Sequence, residues 1–163
     1  MIQYRDETII NASPERVFWF LTNIDKLYKE WHMKDHVFCH TLFGSLDKKG
    51  SIIHFFEWVG GFPLYLIAQT SKMEKDHYIE YVPVFPLSLL RLGFGSFQIE
   101  KISDRESKLI AYVEAGYKLP VIGEALDWLV RKMISFEAIR RHMKEEGENI
   151  QKYLERKYGL FCN

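Results

Sequence analysis

Three short stretches of this chain carry side chains able to do chemistry. The first is Tyr28-Lys29-Glu30-Trp31-His32-Met33-Lys34-Asp35-His36, running on to His40. Its three histidines stand four apart, with Asp35 and Cys39 between them. Neutral imidazole is the commonest metal ligand, and carboxylates complete hard or borderline sites. The same pattern also suits a polar helix end whose histidines face solvent.

The second stretch is Ser51-Ile52-Ile53-His54-Phe55-Phe56-Glu57-Trp58-Val59. Strand alternation puts Glu57 on one face with Ile53, Phe55 and Val59. If that face is buried, the carboxylate needs a cation or a raised pKa. If the other face is inside, His54, Phe56 and Trp58 are the buried set. The strand is apolar on both faces, so periodicity leaves both arrangements open.

The third is His142-x-x-x-Glu146. Residues four apart on a helix lie one above the other and can offer two ligands to one ion, or pair on the surface. Gly147 follows, although a mid-helix glycine is disfavoured by roughly 1 kcal/mol against alanine. It marks either close packing or room for a ligand.

These groups must be brought together by elements far apart in the chain. Val121 to Tyr158 reads as one long helix. Leu126, Leu129, Met133, Phe136, Ile139, Met143, Ile150 and Leu154 recur at three- and four-residue steps along one face. Continuous from Ala125, it would be roughly 50 Å long and needs a large surface to lie on.

Ile2 to Ile10 reads as a strand. Ser13 is the expected N-cap of a helix from Pro14 to Thr22, and a second short helix runs from Ile24 to Trp31. About six strands with short turns follow, between Val37 and Leu119. Short turns imply antiparallel neighbours, and the element order gives an α+β arrangement with helices on one face of the sheet. No linker or repeat is visible, so residues 1–163 read as a single domain.

Composition narrows the function classes. Of 163 residues, 47% are hydrophobic and 27% charged, as in a soluble globular protein. Net charge is zero, which gives no general electrostatic case for nucleic acid or an anionic membrane. The 15% aromatic share suits a ligand cavity. Cys39 and Cys162 make no disulfide framework. No stretch reads as a signal peptide or a bilayer span, so a cytoplasmic location is expected.

The segment INASPERVFWFLTNIDKLYKEW, with this order of elements, resembles the START/Bet v 1-like (SRPBCC, helix-grip) superfamily. The resemblance implies a curved antiparallel sheet of about seven strands around a long C-terminal helix, with an apolar cavity between them. That superfamily includes lipid carriers, hormone receptors, cyclases and hydrolases, so it leaves function open.

Within it, YKEWHMKDH, the glutamate of FFEW and RHMKEEGENI together resemble the diacetylphloroglucinol hydrolase and phloretin hydrolase family. Those enzymes cleave a carbon–carbon bond between an acyl group and a phenolic ring. The resemblance implies zinc held by His36, Glu57, His142 and Glu146. His36 is preferred to His32 because Tyr28 and His36 meet the family's Tyr-x7-His spacing. Tyr28 or His32 would relay a proton. Cys39, Trp58 and Tyr112 are the expected substrate contacts, although Tyr117 in the same last strand matches the family's substrate tyrosine equally well, with Phe62, Leu90, Leu92, Phe94 and Phe97 as further apolar walls. This chain is much shorter than those hydrolases, and Cys39 stands where a polar contact is expected.

The expected function is therefore a zinc-dependent hydrolase of a small acylated aromatic or ketone. The alternative is a carrier or sensor that binds a hydrophobic small molecule without chemistry.

Overall fold

The computed structural model describes residues 2–84, 94–115, 128 and 135–158. Seven strands form one sheet: β1 (Ile2–Ile10), β2 (His36–Phe43), β3 (Ile52–Val59), β4 (Phe62–Glu74), β5 (Tyr78–Pro83), β6 (Phe94–Ser103) and β7 (Glu106–Ala115). Their order is β1-β7-β6-β5-β4-β3-β2, with every neighbouring pair antiparallel. The two edge strands, β1 and β2, are linked by α1 (Pro14–Leu21) and α2 (Ile24–Trp31). A last helix, α3 (Phe136–Tyr158), lies on the sheet against β1.

The local chemistry explains the elements. Pro14 opens α1 behind Ser13, whose backbone is extended as an N-cap requires, although its hydroxyl makes no capping bond. On α2, Ile24, Tyr28 and Trp31 are buried. They recur at steps of four and three, so one stripe of this short helix faces the core. Gly60 and Gly61 join β3 to β4, with φ of 61° and 83°. Positive φ at both central residues is what a two-residue type I′ hairpin demands. A Cβ at Gly60 would also lie 2.5 Å from Ala138 Cβ, so this turn supports the first turn of α3.

The described α3 spans 23 residues, or about 34 Å at roughly 1.5 Å per residue. It does not run continuously from Ala125. Ser135 is non-helical, its hydroxyl accepts the Ala138 N–H at 3.4 Å, and its carbonyl accepts the Ile139 N–H at 3.2 Å. A serine hydroxyl that satisfies a free helix-end N–H starts a new helix at that point. Leu126, Leu129 and Met133 lie outside the described residues, as does the side chain of Phe136.

In the rest of the stripe, Met143, Ile150 and Leu154 are buried and Ile139 half-buried, while Arg141, Lys144, Glu145 and Lys152 are exposed. Gly147 is a packing accommodation. A Cβ there would overlap the Thr8 side chain of β1, with Thr8 Cβ only 2.9 Å away. The missing side chain therefore lets α3 approach the sheet closely, which offsets the helix penalty. No helix among the described residues is long and apolar enough to cross a membrane.

Candidate functional site

Cross-strand pairing creates half of the site. His36 opens β2 and Glu57 lies directly opposite on β3, so their side chains share a face. A bulge follows, because the register shifts between His36 and Phe38. His36 and Cys39, three residues apart, are therefore both buried, while Val37 and His40 are exposed. A tight turn precedes His36, whose N–H bonds the His32 carbonyl at 2.9 Å. The turn folds the His36 ring back beneath α2. From α3, His142 and Glu146 supply the other half.

One ligand atom from each of His36, Glu57, His142 and Glu146 lies within 4.8 Å of all the others. His36 Nε2 is 3.1 Å from Glu57 Oε2 and 3.0 Å from Glu146 Oε1. His142 Nε2 is 3.5 Å from the same Glu146 oxygen. The glutamate side chains are only 13% and 14% exposed, so both carboxylates are largely desolvated.

Both rings are held from behind. His36 Nδ1 donates to the Tyr28 carbonyl at 2.8 Å, and His142 Nδ1 donates to Asp35 Oδ2 at 3.2 Å. That fixes the tautomer of each neutral ring and leaves the Nε2 lone pair facing the carboxylates. Despite the short approaches, neither buried Nε2 makes an aligned hydrogen bond. Four donors at about 2.0–2.1 Å around a tetrahedral zinc ion stand about 3.3–3.4 Å apart. The close pairs bracket that spacing, and the donor set fits a divalent transition metal.

The electrostatics call for positive charge. Burial alone would push His36 down, but Glu146 and Glu57 outweigh it and raise its pKa to about 10. His142 is also raised: Glu146, with help from Glu57, overcomes its burial. Burial would raise Glu146, yet His142 and His36 hold it down, to about 2. In the metal-free protein a proton answers the field of the two carboxylates, and a metal ion would compete with it.

Tyr28 braces this set. Its ring stacks on His36 at 4.0 Å, and its hydroxyl donates to Glu57 Oε2 at 2.5 Å. Burial first, then the Glu57 charge, pushes the phenol well above its ordinary value. Trp31 meets the His36 ring edge-on at 5.5 Å.

His32 lies on the other side of His142, stacked on it at 4.6 Å. Its Nε2 reaches Glu145 Oε2 at 2.9 Å and its Nδ1 accepts the Asp35 N–H at 3.3 Å. His32, Asp35 and His142 form a second close group. Asp35 and Glu145 had no distinguishing signal beyond Asp35 standing between two spaced histidines.

The expected substrate contacts divide. Cys39 is buried in the core, and burial, then the charges of Asp25 and Glu57, push its thiol up to about 12. Trp58 is 41% exposed and touches Phe56 on the outer face of the sheet. With Glu57 turned inward, alternation sends its neighbour outward, so Trp58 does not wall the interior. The same rule removes Tyr112. Ala111 and Val113 pack toward α3, whereas Tyr112 meets Phe94 at 5.3 Å on the opposite face.

Phe97 lies inside with Trp31, and Phe62 is half-buried at the β3–β4 turn. Leu90, Leu92 and Tyr117 lie outside the described residues. Between α3, β1 and β7, Asp6, Thr8, Trp31, Met143 and Glu146 help line a cavity of about 10 Å³, room for about one water and far short of the ligand-sized apolar space expected between sheet and helix.

Among solved structures, the chain is similar to the ZhuI aromatase/cyclase of a Streptomyces species, with 10% identity over 96% of this chain and 95% of that one, and a TM-score of 0.76. A major latex-like protein of Panax ginseng aligns at 7% identity over 93% and 96%, with a TM-score of 0.69. A START superfamily protein of Mycobacterium smegmatis aligns at 14% over 94% and 97%, with a TM-score of 0.66. No family model matches the sequence, and no curated protein matches it. At these identities the likeness establishes the fold: an α+β helix-grip arrangement of the START/Bet v 1 kind.

Proposed function

We propose that this chain is a zinc-dependent hydrolase that splits the carbon–carbon bond joining an acyl group to a phenolic ring, or the equivalent bond of a related ketone. One observation carries the reading. His36, Glu57, His142 and Glu146 converge from two strands and a helix far apart in sequence, with both imidazole Nε2 atoms lacking a hydrogen-bond partner. Two imidazoles and two carboxylates suit zinc better than calcium or magnesium, with manganese and iron as alternatives. When bound, zinc polarises a carbonyl and lowers the pKa of water to about 7.

The residues of the chain do the rest. His36 and His142 enter as neutral donors, each oriented by its Nδ1–H bond. Glu57 and Glu146 balance the charge of the ion. In the overall reaction the water oxygen goes to the acyl carbon, giving a carboxylic acid, and the ring carbon gains a proton. Tyr28 holds an O–H against Glu57 and keeps its proton at rest. We assign Tyr28 the relay to the ring carbon, with a water proton restoring it. His32, committed to Glu145 behind His142, acts through His142.

Zinc-loaded protein incubated with a series of acylated phenols, including acylphloroglucinols, should release the carboxylic acid and the free phenol. His142→Ala should lose metal and turnover together. A zinc-loaded protein that leaves every acylphenol intact, yet binds an apolar phenol, would make it a carrier instead.

A further inference from the structure

We infer that Asp35 is the positioning residue of this centre, holding His142 so that its Nε2 faces His36, Glu57 and Glu146. The inference rests on the metal-binding reading above. Asp35 has three polar groups, and each goes to a different part of the site. Its carbonyl accepts the N–H of Trp58, the neighbour of Glu57, at 2.9 Å. Its N–H donates to His32 Nδ1 at 3.3 Å, and its carboxylate takes the His142 Nδ1 proton at 3.2 Å. His36 is the next residue in the chain. One residue thereby ties together β2, β3 and α3, which between them carry all four proposed ligands.

The partners leave little freedom in the assignment. His32 Nδ1 accepts a backbone N–H, so its proton sits on Nε2 and is donated to Glu145. The fixed His32 ring stacks on His142 and restrains its plane. Turning the His142 ring over would break the Asp35 bond and remove Nε2 from the carboxylates. The Asp35 side chain is 34% exposed, so it keeps contact with water while one oxygen serves His142. His32, Asp35 and His142 are also close enough to hold a cation of their own. Their existing bonds to Glu145, Asp35 N–H and Asp35 Oδ2 favour the supporting role. A carboxylate on the far nitrogen of a metal-bound histidine fixes its tautomer and raises its basicity.

The test is zinc affinity, measured by competition with a chromogenic chelator, for wild type, Asp35→Asn and Asp35→Ala, with folding followed by circular dichroism. Asp35→Ala should weaken zinc by about 10- to 100-fold. Asp35→Asn should keep most of the affinity, because its amide oxygen still accepts the Nδ1 proton. Unchanged affinity in Asp35→Ala would overturn the inference, as would equal losses in the two variants. A second zinc per chain that disappears in Asp35→Ala would instead make the outer group a cation site.

Should Asp35→Ala not fold, nitrogen-15 spectra of zinc-loaded, histidine-labelled wild type decide the matter. They should show His142 coordinated through Nε2 with its proton on Nδ1, and coordination through Nδ1 would overturn the inference. Wild type that takes up no zinc would defeat the metal reading and this inference with it, whereas normal wild-type zinc with an unaffected Asp35→Ala would defeat only this one.

Discussion

The two faces of the β2–β3 hairpin are built from the same kinds of residue and do different things. The inner face carries His36, Cys39, Phe55 and Glu57. The outer face carries Phe38, His40, His54, Phe56 and Trp58, extended by Tyr65 of β4 in a set of touching rings. Each face has an imidazole Nε2 without a hydrogen-bond partner, His36 inside and His54 outside. Only inside do carboxylates stand opposite that nitrogen, because α3 brings Glu146 and β3 turns Glu57 inward. Histidine and aromatic content is therefore no guide to a site. Opposed charge brought together in a desolvated place is.

Substitutions on the two faces test that contrast. The largest effect belongs to His36→Ala, which should abolish zinc binding by titration calorimetry. Zinc retained by that variant would erase the distinction between the faces. Glu146→Ala should also lose zinc and destabilise the metal-free protein by about 1–3 kcal/mol in urea, limited because the histidines can discharge once their partner is gone.

Gly147→Ala acts on the approach of α3 to β1. Overpacking against Thr8 should outweigh the helix gain of roughly 1 kcal/mol and leave a net loss of up to about 2 kcal/mol. Zinc should weaken with it, since Glu146 is adjacent. A more stable Gly147→Ala would mean that the helix does not sit where the inner face needs it. Tyr28→Phe removes the hydroxyl from Glu57 and should weaken zinc by about 10-fold, measured by chelator competition.

The pH dependence of the metal-free protein sharpens the comparison further. The folded-state pKa of His36 is raised from 6.5 to about 10. Its contribution is therefore full below 6.5 and lost as pH rises through about 10. Glu146 is lowered from 4.5 to about 2, so its contribution is present above 4.5 and lost as pH falls toward 2. Stability from this pair should be greatest between pH 4.5 and 6.5, and His36→Ala should flatten the profile. The smallest effect on zinc is expected outside: His54→Ala should bind zinc normally, while losing about 1 kcal/mol of stability with its ring contacts to Phe38 and Tyr65.

Much of this was legible in the sequence because the local signals agree. Pro14 behind Ser13, the apolar stripe of the C-terminal helix and the short turns between apolar runs each specify an element, and their order specifies the architecture. The four clustered residues came from a motif resemblance, whereas periodicity alone could not choose a face for Glu57. That ambiguity is why Trp58 could be expected inside: a strand apolar on both faces hides its orientation until its neighbours are known, whereas Tyr112 was expected only from the family resemblance.

The break at Ser135 was hidden for a related reason. The apolar stripe runs through it without change of step, and one hydroxyl outweighs the pattern. Asp35 was not singled out because its importance lies in bonds to Trp58 and His142, both remote in sequence.

The most direct test of the account is the metal content of the protein purified without added metal, measured by elemental analysis beside His36→Ala. The account predicts one zinc per chain in the wild type and none in the variant. A wild type free of transition metal, or a variant that keeps its zinc, would contradict it.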